Sequence, residues 1–138
     1  MKMVHAAQVA YERRLVAVTS DRAAAARAVA YVTALRPCYE WEGYHDCPER
    51  EAIFADDYLA ADPKTPFAAF LPLLAAHRWL CAAEGYEYEE RPGDAARSRR
   101  EYELRVALAR QSSARLIRAA AARLAARRTC RADGGRAG

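Results

Sequence analysis

The sequence predicts an all-α fold, a single-domain bundle of four to five helices with a short cysteine-bounded loop. Three observations predict it. Apolar residues recur at helical spacing through several long stretches. Of 138 residues, 34 are alanine, the best helix former. No segment shows the apolar–polar alternation of a strand, and no internal repeat is present. The length suits one domain with a core that does not need disulfides merely to fold. Because alanine fills a core poorly, Leu, Val, Ile, Phe and the aromatics are expected to supply most of the burial. The bundle is expected over residues 1–129, with a glycine-rich, flexible tail at 130–138.

The first helix is expected from about Met3 to Leu35, with Tyr11, Leu15, Val18, Val29 and Val32 on its apolar spacing. Thr19-Ser20-Asp21 is capping chemistry and marks a possible break. Arg36-Pro37 stops the helix, because a residue before proline avoids the α region. Asp46-Cys47-Pro48-Glu49 reads as the next helix start, with Asp46 as cap and proline in the first turn. That helix carries Ile53, Phe54, Tyr58 and Leu59 and ends near Ala61. Thr65-Pro66 repeats the cap-and-proline signal and opens a helix running to about Glu89. Phe67, Phe70, Leu71, Leu74, His77 and Cys81 share one face of it, and Trp79 and Tyr86 extend the apolar surface, so this helix is expected to be central. Pro72 should kink it or loosen its first turn. Arg91-Pro92-Gly93-Asp94 is a stop-and-restart signal. The last helix is expected unbroken from about Ala95 to Arg128, with Tyr102, Val106, Ala109, Leu116, Ile117, Ala120 and Leu124 as its stripe.

The net charge of +4 is strongly segregated. Residues 1–36 hold six basic and two acidic groups, residues 37–94 four and thirteen, and residues 95–138 twelve and three. The simplest consequence is an acidic middle packed against basic flanking helices. A homo-oligomer in which the basic helix of one copy covers the acidic middle of another follows from the same pattern. The arginines of the last helix encircle its polar surface instead of forming one stripe, so no nucleic-acid partner is expected. No run of about 18 uncharged apolar residues exists, so no membrane insertion is expected. The N-terminus lacks the apolar core of a secretion signal; the protein is expected in the cytoplasm, or in the periplasm or medium if a leader was removed.

Chemistry concentrates in the loop Cys38–Cys47, CYEWEGYHDC. A Cys38–Cys47 disulfide is expected, because Gly43 lets the loop turn back and bring the two cysteines together. Closing so short a loop would remove about 2–3 kcal/mol of unfolded-chain entropy. No Cys81–Cys130 bridge is expected. In a straight-helix bundle Cys81 meets the chain near residue 105, and Cys130 lies about 35 Å further along. An alternative use of the thiols is a metal site of Cys38, Cys47, His77 and Cys81, since His77 and Cys81 share a helix face, although the spacing matches no standard zinc pattern. No cofactor is expected: there is no Gly-rich phosphate loop, nucleophile elbow, HExxH or CxxC.

The leading functional expectation is a non-enzymatic binding protein for a basic protein or peptide. Tyr39, Trp41 and Tyr44 would act as anchors, with Glu40 and Glu42 as charges and His45 beside them. The alternative is a small hydrolase-like enzyme using carboxylates for acid–base work, with a site between the loop and the central helix. Its candidate catalytic groups are Glu40, Glu42, His45, Asp46 and His77.

Overall fold

The computed structural model describes residues 41–131. The expected helix over 3–35, the Pro37 stop, Cys38, Tyr39, Glu40 and the tail residues 132–138 lie outside the described residues. The described chain is all-α and contains four helices: α1 (Asp46–Ala61), α2 (Leu71–Tyr88), α3 (Pro92–Arg110) and α4 (Arg115–Arg127). No helix among these residues is long and apolar enough to cross a membrane.

Helix α1 begins where the sequence signals it, but Asp46 does not cap it. His45 occupies the cap position with helical backbone angles and no side-chain cap bond, and Asp46 is an exposed first-turn residue. Asp46 and Glu49 still place negative charge where the helix dipole favours it. Thr65 likewise does not start α2 directly. Its Oγ1 accepts the Phe67 N–H at 3.4 Å and organises turns over residues 66–70, so the helix proper starts at Leu71. Pro72 then falls in the first turn, where a missing N–H costs nothing. The expected loosening is thus a delayed start, which leaves Phe70 largely exposed in the turn.

Helix α2 is central, packed between α1 and α3 and touching α4. Its end is a Schellman-type reversal: Glu90 takes φ 58°, the Arg91 N–H reaches the Tyr86 carbonyl and the Glu90 N–H the Glu87 carbonyl. Pro92 opens α3 immediately afterwards.

The core differs from expectation in its composition. Ala52, Ala55, Ala75, Ala76, Ala82, Ala109 and Ala121 are buried in it, around Leu71, Leu80, Leu124, Val106, Tyr58, Trp79 and Tyr102. Small side chains let the helix axes approach closely, so alanine contributes by admitting neighbours more than by its own area. Ion pairs stitch the basic α3 onto the acidic helices: Arg97 to Glu49, Arg99 to Glu87 and Arg105 to Asp56, at 3.4, 2.6 and 2.9 Å. The charge segregation is therefore satisfied in part within one molecule.

The main correction concerns the last helix, which is not continuous. It breaks at Gln111–Ala114. The Gln111 and Ser112 N–H groups tighten to carbonyls three residues back, Ser112 Oγ accepts the Ala114 N–H at 3.1 Å, and Arg118 Nη1 gathers the Ser112 and Ser113 carbonyls. Serine side chains compete for backbone bonds in this way and weaken a helix locally. The chain then reverses into α4. The break also resets the helical phase, so Leu116, assigned to the apolar stripe, is 83% exposed.

Because α4 runs back, Cys130 returns to α2. The expectation of no Cys81–Cys130 bridge is overturned: the two are disulfide-bonded, with Cα atoms 4.8 Å apart. The 35 Å separation applied only to an unbroken helix. Cys130 is buried, so the folded body extends past residue 129. Cys47 is also disulfide-bonded, while Cys38 lies outside the described residues, and with it the expected loop pairing.

Candidate functional site

Residues 41–45 pack against the C-terminal half of α2. Gly43 makes the turn at φ 99°, a conformation that favours glycine. Trp41 Nε1–H donates to the Tyr44 carbonyl at 2.7 Å, which closes the turn. The Tyr44–His45 backbone then lies directly on Gly85. A Cβ there would meet His45 N at 2.6 Å, a backbone atom that cannot swing away. Gly85→Ala is expected to cost about 1–3 kcal/mol through forced displacement of this segment. Urea denaturation checks it, and a loss below about 0.5 kcal/mol would show that the contact yields freely.

His45 is held on three sides. Its backbone N–H donates to Glu89 Oε2 at 2.9 Å, its ring Nδ1 lies 2.6 Å from the same oxygen, and its ring stacks on Tyr86 at 4.1 Å between centroids. The bond from the His45 backbone holds the Glu89 carboxyl below the usual carboxylate range. Tyr86 donates its hydroxyl to Glu49 at 2.6 Å, and burial together with that carboxylate raises its pKa to about 12. These contacts account for His45 as a clamp between loop and helix.

A second cluster lies where α4 returns. His77 Nε2–H donates to the Cys130 carbonyl at 2.9 Å, and Nδ1 lies 2.6 Å from Arg78 Nη1. Both ring nitrogens sit 3.7–3.8 Å from Cys81 Sγ. The Glu84 carboxylate accepts the Cys130 N–H at 3.0 Å, and Arg127 Nη2 donates to the Cys130 carbonyl at 3.2 Å. Burial lowers the His77 pKa, reinforced by the Arg78 and Arg127 charges and opposed by the bond to Cys130. Burial raises the Glu84 pKa, with the Cys130 N–H opposing.

Beside this cluster is a cavity of about 310 Å³, lined by Trp41, Pro48, Glu51, His77, Arg78, Cys81, Cys130 and Arg131. Its size falls at the lower end of small-molecule sites. The Arg131 guanidinium lies 5.4 Å from the Trp41 ring centroid and closes one wall. Glu51 is 6% exposed and ion-paired to Arg78, and burial raises its pKa against that pairing.

The candidates read from sequence therefore separate. Trp41 and His77 meet at the cavity. His45 belongs to the Tyr86–Glu89 clamp. Glu42, Tyr44 and Asp46 are exposed, and Tyr39 and Glu40 lie outside the described residues. Of the alternative metal set, His77 and Cys81 group with Cys130 instead of Cys47 among the described residues. Sequence reasoning missed Glu51, Cys130 and Arg131. Glu51 had a local signal, since it lies four residues from Cys47 and from Ala55 on the buried face of α1. Cys130 and Arg131 had none, because only the reversal of α4 carries them there.

No protein-family description, curated protein or solved structure matches the chain.

Proposed function

We propose that this helical bundle is a non-enzymatic binding protein for a basic peptide or protein segment. The reading rests on one observation above others. Tyr44 and Tyr88 form an exposed edge-to-face pair, 45% and 69% accessible, with ring centroids 5.9 Å apart. Paired tyrosines are held open on the surface here while most other aromatics are committed to the core. Glu42 and Glu90, two residues from each ring, are exposed and would steer a cationic segment. Tyrosine suits such a face because it offers a rigid apolar plate with a polar tip.

The test uses peptides selected from a random displayed library and then synthesised. Cationic sequences are expected to be enriched, and their binding to weaken as salt rises. The double substitution Tyr44→Ala/Tyr88→Ala is expected to weaken it by about 2 kcal/mol, roughly thirtyfold. Because both rings are largely exposed, its thermal midpoint should hardly change. Enrichment without cationic residues, or binding unaffected by the double substitution, would remove the reading.

A small enzyme or small-molecule site at the cavity is the second reading, carried by the cavity itself. It ranks lower because both ring nitrogens of His77 are occupied, Glu51 is held by Arg78, and Glu42 and Asp46 point to solvent rather than joining the wall.

A further inference from the structure

We propose that reduction of the Cys81–Cys130 bridge converts this corner of the fold into a Cys₂His site for a thiophilic divalent cation, Zn²⁺ in the first instance. The inference is independent of the peptide-binding reading.

The ligand atoms of His77, Cys81 and Cys130 lie within 4.8 Å of one another, and they are the one such group among the described residues. Tetrahedral zinc holds sulfur at about 2.3 Å and nitrogen at about 2.0 Å, so adjacent ligand atoms stand roughly 3.5–3.8 Å apart. Cys81 Sγ is already 3.8 Å from His77 Nδ1. The same sulfur is 3.7 Å from Nε2, so it lies over the ring; ligation requires the Cys130 sulfur to withdraw from its bonded position and the Cys81 and His77 side chains to rotate until the Nδ1 lone pair and both sulfurs converge.

The imidazole is prepared for ligation. Its Nε2–H is spent on the Cys130 carbonyl, which leaves Nδ1 with the lone pair, as an orienting partner does at zinc histidines. Arg78 occupies Nδ1 in the oxidised protein, but it is partly exposed and retains Glu51 as its partner when displaced. All three ligands line the cavity, so a cation has a route in. Glu84 holds the Cys130 backbone from behind.

The chemistry balances with a phosphine as reductant. The disulfide accepts two electrons and two protons and becomes two thiols, while the phosphine takes the oxygen of one water molecule and becomes a phosphine oxide, that water supplying the two protons. Zn²⁺ then displaces the two thiol protons to solvent.

The experiment reduces the full chain with a non-chelating phosphine and titrates Zn²⁺ against a chromophoric chelator, with Co²⁺ as spectroscopic reporter. One equivalent is expected to bind the reduced chain and none the oxidised chain, with a thiolate-to-cobalt charge-transfer band. His77→Ala and Cys130→Ser should each weaken binding more than about tenfold. The double substitution Cys38→Ser/Cys47→Ser should leave it intact. Helical circular dichroism is recorded throughout; if reduction lowers it, Zn²⁺ is expected to restore it. The proposal is overturned if the reduced chain takes up no Zn²⁺, if His77→Ala binds as tightly as the parent, if uptake disappears with Cys38 and Cys47, or if helicity lost on reduction is not recovered.

Discussion

Replacing Cys81 and Cys130 together by alanine is expected to lower stability by about 4 kcal/mol, from the loop-closure entropy of a 49-residue separation. For a chain of this size that corresponds to a fall in thermal midpoint of roughly 15 °C. The bridge joins the segment just after α4 to the middle of α2, so the unfolded ensemble loses much freedom when it is closed. Three further bonds depend on it locally. The Cys130 N–H on Glu84, the Cys130 carbonyl on His77 and the same carbonyl on Arg127 all require residue 130 to stay seated. In the alanine variant, which can neither form the bridge nor hold a metal ion, this segment should fray first, and α4 should exchange its amide hydrogens faster than α2. Denaturant melts of the parent and variant measure the global effect, and hydrogen exchange measures the local one. A difference below about 1 kcal/mol would mean that the unfolded chain remains compact around this region.

Trp79→Ala is expected to cost about 3–5 kcal/mol, the usual range for emptying a buried aromatic site. The indole is 7% exposed and sits where three helices meet. Its Nε1–H donates to Asp56 of α1 at 3.1 Å, and Asp56 also takes two bonds from Arg105 of α3, at 3.0 and 2.9 Å. The Arg105 guanidinium in turn lies 5.9 Å from the indole centroid. The surrounding alanines cannot expand to fill the void, so relaxation should be limited. Trp79→Phe keeps much of the apolar area and removes the bond to Asp56 together with part of the indole ring, for about 1–3 kcal/mol. If the two variants were equally destabilised, the polar junction would outweigh packing, contrary to this account.

These two expectations also show where sequence and structure part. Trp79 was recognisable as apolar surface on the central helix, because helical spacing is a local property. Its polar partners were not, since Asp56 and Arg105 lie 23 and 26 residues away and look like ordinary solvated charges. The binding candidates divided in the same manner. Tyr44 was identified from the loop, but its pairing with Tyr88 required the loop to fold onto α2. The loop position makes Trp41 a candidate anchor; that it lines a cavity beside Arg131, tied to its own loop by one hydrogen bond, follows only from the fold.

Residue order by itself determined that the described chain is helical, that α1 and α3 begin near Pro48 and Pro92, and that α2 is central; it placed the start of α2 at Pro66, where the structure has turns instead. Proline, alanine and apolar spacing act over one or two helical turns, so they can be read without the fold. Tertiary structure alone decided that the last helix breaks at Ser112-Ser113 and turns back, and hence that Cys81 finds Cys130. A serine pair only weakens a helix. Whether it breaks there depends on the packing energy that α4 recovers by reversing onto α2 and α3, a balance that no local pattern contains.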